Sequence, residues 1–240
     1  MGMKPPRKPS PTGSPLPFEM DDEPLEETLT AWGGVPLVVQ AFRSLGVAAS
    51  VRQHVQIKKR DRGYDEATMV ESFVVLNAVG GECLDDFQHL REDAGLKEML
   101  VHEIPSPESA RQFLNRFHSE EKLEQARDGR KPEQIAFIPE EGDALSGLGA
   151  VNRELVRELG RRCPDQRIAT VDQDAMIIES HKQQALRTYE GKRGYEPMLA
   201  VWAEMDVVLA DEFRDDNVPA MMAPLAVARR AWPTHQIPSS

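Results

Sequence analysis

Cysteine is nearly absent from this chain: Cys83 and Cys163 are the only two in 240 residues. They lack CxxC spacing, which excludes a disulfide scaffold and a cysteine-based zinc site and fits a reducing compartment. Long apolar runs are absent too. No stretch approaches the ~20 residues that span a bilayer, so no transmembrane helix is expected. Lys4, Arg7 and Lys8 are followed by prolines instead of an apolar core, so no secretory signal is expected. The histidines show neither HExxH nor HxH spacing, which argues against a zinc hydrolase. No GxxxxGK[ST] motif, no GxGxxG after a strand and no G-x-S-x-G elbow is present, so nucleotide binding and elbow-type serine chemistry are unsupported.

Basic residues are in deficit. There are 29 Lys and Arg against 40 Asp and Glu, a net charge of −11. That balance argues against a general nucleic-acid coat. A local basic patch can still bind DNA on an acidic protein, so the distribution of charge carries more information than its total. The 40% hydrophobic content is enough for a packed core, and the length suits one large domain or two small ones.

Residues 1–27 read as a disordered tail, because seven of the 18 prolines fall there with Ser and Gly between them. Residues 28–128 read as a bundle of five or six short helices. Leu37, Val38, Phe42 and Leu45 recur at helical spacing, as do Met69, Val70, Phe73 and Leu76 before Gly80 and Gly81. Cys83, Phe87 and Leu90 form a third stripe. Ser106, Pro107 and Glu108 form a helix start: a capping hydroxyl, Pro at the first helical position and an acid in the first turn. Residues 129–163 read as a charged joint followed by a helix from Asp143 to about Arg161. After Pro164 the pattern changes. Residues 167–171 (RIATV) read as a short strand. Residues 198–203 and 207–210 are apolar runs separated by three residues, hence antiparallel neighbours. A helix opening at Asn217 and Pro219 is expected next. The fold class is therefore α+β, a helical bundle followed by three antiparallel strands and a helix.

Asp172 and Asp174 are the residues richest in chemistry. Two carboxylates two positions apart on a strand share a face, and such oxygens are suited to Mg²⁺. A metal so held polarises a phosphate and activates a water or a 3′-hydroxyl. The alternative is that both acids cap a turn where the strand leaves the core. Basic groups cluster in three places. His181, Lys182, Arg187, Lys192 and Arg193, with Tyr195, lie on a Gly-containing segment just after the acids. Arg52, His54, Lys58, Lys59, Arg60 and Arg62 lie between two expected helices. Arg111, Asn115, Arg116 and His118 lie on or beside the polar side of the Ser106 helix. Each cluster reads either as a DNA contact or as an ordinary solvated surface.

The run TVDQDAMIIESHKQQALRTYEGKRGYEPMLAVWAE, followed by DVVLADEFRDDNVPA, resembles the group 1 DDE domain of bacterial insertion-sequence transposases. LTAWGGVPLVVQAFRSLGV, RGYDEATMVESFVVLNAVGGECLDDFQHLRED and IPSPESARQFLNRF resemble the N-terminal half of that family. The resemblance spans roughly residues 28–235. It implies a helical region that binds transposon ends, then a ribonuclease-H-like catalytic domain over residues 164–240 that uses Mg²⁺. The first catalytic aspartate of the family maps onto Asp172 or Asp174. Register favours Asp172, with Val171 taken as the end of the apolar strand, and both stand as candidates. The FRDDN segment, residues 213–217, matches a family signature, with Asn217 expected to cap the following helix.

One departure outweighs these matches. The fourth strand of the family, with its second aspartate, and the later glutamate have no counterpart before Ser240. Asp206, Asp211, Asp215 and Asp216 precede the final helix and stand in the wrong place to substitute. The resemblance therefore implies a C-terminally truncated transposase with cleavage and strand transfer lost, located in the bacterial cytoplasm. The alternative is a catalytically inactive DNA-binding or dimerising regulator. Expected partners are DNA, a second copy or a full-length transposase, and no membrane.

Overall fold

The structure, a computed structural model, describes residues 27–58, 62–129, 138, 140–182, 185–187, 191–215 and 217–231. The expected tail up to residue 26 and most of the joint lie outside the described residues. Within them the chain is mixed helix and antiparallel sheet, as the α+β reading expects.

The helical part holds α1 (Val35–Ser44), α2 (Val47–His54), α3 (Glu66–Ala78), α4 (Phe87–Glu92), α5 (Ala94–Leu100), α6 (Pro107–Asn115) and α7 (Glu120–Gly129). There are more breaks than the apolar spacing predicts. Gly46 takes φ +76° between α1 and α2, a backbone state that glycine adopts at little cost. Asp93 ends α4 and also caps α5, its Oδ1 accepting the Leu96 N–H at 2.6 Å. The α6 start is as expected: Ser106 Oγ accepts the Ser109 N–H at 3.1 Å with Pro107 in the first turn.

Two apolar cores hold these helices. The first gathers Val35, Val39, Met69, Val75, Leu76, Phe87, Leu90, Leu96, Leu100, Ile104, Ala110 and Phe113. Phe87 meets Phe73 edge-on at 5.2 Å between ring centroids. Each such side chain, fully buried, contributes about 1.5–3 kcal/mol. The second core gathers Phe42, Val47, Val51, Val55 and Ala67 around Val151. Val151 belongs to α8 (Asp143–Arg162), so this core joins the bundle to the long helix.

An acid is buried beside the first core. Glu71 of α3 is only 6% exposed and accepts from Arg43 Nε at 2.9 Å and Nη2 at 2.6 Å. His102 Nε2 lies 2.9 Å from the same carboxylate. Burial pushes the Glu71 pKa up, but hydrogen bonds from Arg43 and His102, with their charge, outweigh it and hold the pKa below the usual range.

The strands follow α8. They are β1 (Val171–Ala175), β2 (Ile178–Glu179), β3 (Leu186–Arg187), β4 (Arg193–Tyr195), β5 (Met198–Trp202) and β6 (Val207–Glu212). The main sheet has the order β1-β5-β6, antiparallel throughout, and the small one β2-β4-β3. The expected β5–β6 hairpin is present, with a bulge between Ala200 and Val201. The first strand lies further along the chain than expected. Val171 opens it and does not end it, and Ile168 stays 69% exposed. Asp172 and Asp174 both lie inside the strand, so register does not separate them. The final helix, α9 (Pro224–Ala231), also starts later than expected. Asn217 lies in a turn seven residues before it and does not cap it.

The sheet core faces α9. Met198, Ala200, Leu209 and Ala210 pack with Val227 and Ala231, and with Val156 of α8. Arg214, fully buried, ion-pairs with Glu212 at the end of β6, and Glu212 also holds Arg230 of α9.

Candidate functional site

Asp172 and Asp174 are both exposed, alternating with the half-buried Val171, Gln173 and Ala175. The expectation that they share a face holds. The alternation arises because the odd-numbered side chains turn toward α9 and the even-numbered ones toward solvent. Asp172 stands opposite Val201 and Asp174 opposite Leu199. Leu199 in turn stands opposite Asp211 of β6, also exposed. Asp174 and Asp211 thus share the outer face with Leu199 between them, about 10 Å apart at two inter-strand spacings. Among the described residues no group of three His, Cys, Asp or Glu side chains is arranged to hold a metal. The hard carboxylate oxygens suit Mg²⁺ in kind, yet an exposed pair pointing outward from one strand does not enclose the ion. Among the described residues no further carboxylate closes around this pair.

The two sheets are parts of one ladder. Ala175 pairs with Met198, Met176 N–H donates to Pro197 O at 3.1 Å, and Ile178 pairs with Tyr195. Ser180 N–H then donates to Arg193 O at 2.9 Å. The register is the same on both sides of residues 176–177. A segment with no hairpin signal in the sequence is thus a long antiparallel arm from Val171 to Ser180 and back from Arg193 to Trp202. Its strands of two and three residues are too short to show a period.

That arm gathers basic groups. His181 and Lys182, both exposed, follow β2, while Lys192 precedes and Arg193 opens the return strand. Lys192 ion-pairs with Glu179, and that hydrogen bond holds the Glu179 carboxyl below its usual range. Arg193, level with Ser180, is exposed on the strand face that carries Asp174. It lies six residues along the ladder, about 20 Å away.

The other basic candidates are dispersed. Lys59 and Arg60 lie outside the described residues. Lys58 is half-buried, and its backbone N–H donates to Glu66 Oε1 at 3.0 Å. Arg52 lies within α2 and pairs with Asp65 at 2.8 Å. Arg111 is exposed on α6, 3.4 Å from Glu108 and 3.9 Å from Asp85. Arg116 follows α6 and is exposed. His54 lies 2.9 Å from Glu154 of α8, which also accepts from Ser50. Hydrogen bonds from Ser50 and then His54 lower the Glu154 pKa. Glu154 stands between the serine and the histidine, so this trio is a helix-to-helix tie and not an activated nucleophile.

Comparison with protein families, curated proteins and solved structures returns no match. Among the described residues no helix is long and apolar enough to cross a membrane.

Proposed function

We propose that this chain acts on DNA in transposition, with the resemblance to DDE transposases reflecting a shared ribonuclease-H-like plan. The observation that carries the reading is the strand order β1-β5-β6 with α9 on one face and Asp172 and Asp174 exposed on the other. Basic side chains at the tip of the same arm support it. Lys182, Lys192, Arg193 and His181 supply donors suited to a phosphate backbone. Arg111 and Arg116 add a second basic surface on α6.

In this reading the chain holds DNA, and Asp172 with Asp174 contributes part of an acid set. No cleavage step is assigned to the chain acting alone, because the described residues bring no third acid to the pair. A second reading is a DNA-binding or dimerising regulator of a full-length transposase. It is favoured by the first apolar core of the helical part, which draws on neither α8 nor the strands.

A band-shift assay on linear duplex tests the first reading. Binding that weakens with salt and with loss of Lys182 and Arg193 is expected, and no binding at low salt would reject it. Titrating the chain into a transposition reaction run by an intact family member tests the second. Dose-dependent inhibition is expected, and its absence would exclude the regulator.

A further inference from the structure

Side chains hold the turn between α5 and α6. Its Leu100 carbonyl accepts from Arg43 Nη2 of α1 at 3.0 Å. Its Ile104 carbonyl accepts from the Tyr64 hydroxyl and from Arg91 Nη1 of α4, each at 3.4 Å. The Glu103 carbonyl oxygen lies 3.1 Å from His102 Nδ1. The other ring nitrogen of His102, Nε2, lies 2.9 Å from Glu71 Oε1 of α3. Within this turn Val101 takes φ +63° and is 84% exposed. A β-branched residue is unfavourable in that left-handed region and stays there only where its surroundings hold it.

The two partners of His102 select its charged form. A carbonyl oxygen and an ionised carboxylate oxygen both accept hydrogen bonds and donate none. Imidazole carries a hydrogen on both nitrogens only as the cation. The neutral ring has one N–H and one lone pair, so it satisfies one oxygen and sets the lone pair against the other. A carboxylate is the stronger acceptor. The neutral ring therefore keeps Nε2–H on Glu71 and turns a bare Nδ1 toward the Glu103 carbonyl. Glu71 keeps its negative charge meanwhile: burial raises its pKa, but the bonds from Arg43 and His102 hold it below the ordinary carboxylate range. The charged and titratable groups about the turn are Glu71 of α3, Arg43 of α1, Arg91 of α4, Tyr64 and the exposed Glu103.

We infer that His102 is a proton-operated latch: the charged ring closes the turn between α5 and α6, and the neutral ring releases the Glu103 carbonyl. Histidine is the side chain whose ordinary change of charge falls between about pH 5 and 8. A bond made only by the charged ring is fully present on the acid side of that range and is lost as pH rises through it. The direction is opposite to that of Glu71, whose contribution is lost as pH falls. With the carbonyl released, the left-handed Val101 loses part of what holds it. The effect reaches α6, which starts at Pro107 directly after this turn and carries Arg111. The inference goes beyond the transposition reading and does not depend on it.

The test is NMR on the full chain, with ring nitrogens and backbone carbonyls labelled, from about pH 5.5 to about pH 8.5. The ring nitrogens of His102 should show two N–H groups at the acid end and one, on Nε2, at the alkaline end. The Glu103 carbonyl shift should move in the same step. Protection of the Val101 amide, corrected for the intrinsic exchange rate, should fall about tenfold. His102→Gln offers a donor to Glu71 without a titrating charge and should abolish the Glu103 step. Should that variant not fold, the ring and carbonyl signals of the unaltered chain decide by themselves. A ring whose N–H count stays constant across the range, or a Glu103 carbonyl that does not follow the ring, would overturn the proposal. So would a Glu103 step that persists in His102→Gln. Loss of helical circular dichroism in the same step would overturn it in favour of global unfolding.

Discussion

Gly147 of α8 sits directly against the backbone carbonyl of His54 at the end of α2. A Cβ at this position would overlap that oxygen and stand 3.1 Å from its carbon. Both atoms are main chain and have no rotamer to yield. The close approach lets Glu154, two helical turns along, reach Ser50 and His54. α8 also reaches the sheet through Asn152 and Val156, so this contact couples the helical part to the strands. Gly147→Ala is expected to destabilise the protein by about 1–3 kcal/mol through overpacking. Urea denaturation followed by tryptophan fluorescence measures it. An unchanged midpoint would mean that the helices separate freely here.

Glu71 makes the helical part sensitive to acid. Its pKa is lowered in the folded protein, so its contribution is fully present above the unfolded carboxylate range. That contribution is lost as pH falls through the lowered folded value. Glu71→Ala is expected to cost about 2 kcal/mol, less than for a fully buried pair because Arg43 is 45% exposed. The pH dependence of thermal stability should flatten on the acid side in this variant. An acid limb identical to that of the unaltered chain would contradict the assignment.

The basic tip of the arm and the α6 surface should contribute unequally to DNA binding. Lys182→Ala with Arg193→Ala removes two exposed cations and should lower the salt slope by about 2 if each meets a phosphate. Arg111→Ala should have a smaller effect, since Glu108 and Asp85 already neutralise that guanidinium in part. Anisotropy at several salt concentrations reads both. An unchanged slope for the double variant would remove the arm from the interface.

Features set by neighbouring residues were legible in the sequence. The α6 start, with Ser106, Pro107 and Glu108, is a local capping event. The β5–β6 hairpin follows from two apolar runs with three residues between them. The shared face of Asp172 and Asp174 follows from strand alternation alone. What depends on distant partners was hidden. The first strand lies where β5 pairs with it, over two acids, while the more apolar Ile168 remains outside. The small sheet has strands too short for any period. Nothing near Glu71 in the chain marks it for burial, since its partners Arg43 and His102 lie 28 and 31 residues away.

The proposed function has this chain bind DNA while its acid pair, Asp172 and Asp174, completes no cutting site by itself. The most direct test incubates the full chain with supercoiled plasmid and Mg²⁺, scoring nicked circles while a parallel band shift on the same DNA scores binding. A shifted band is expected, with no nicking above that of Asp172→Asn with Asp174→Asn. Mg²⁺-dependent nicking that this double variant abolishes would contradict it.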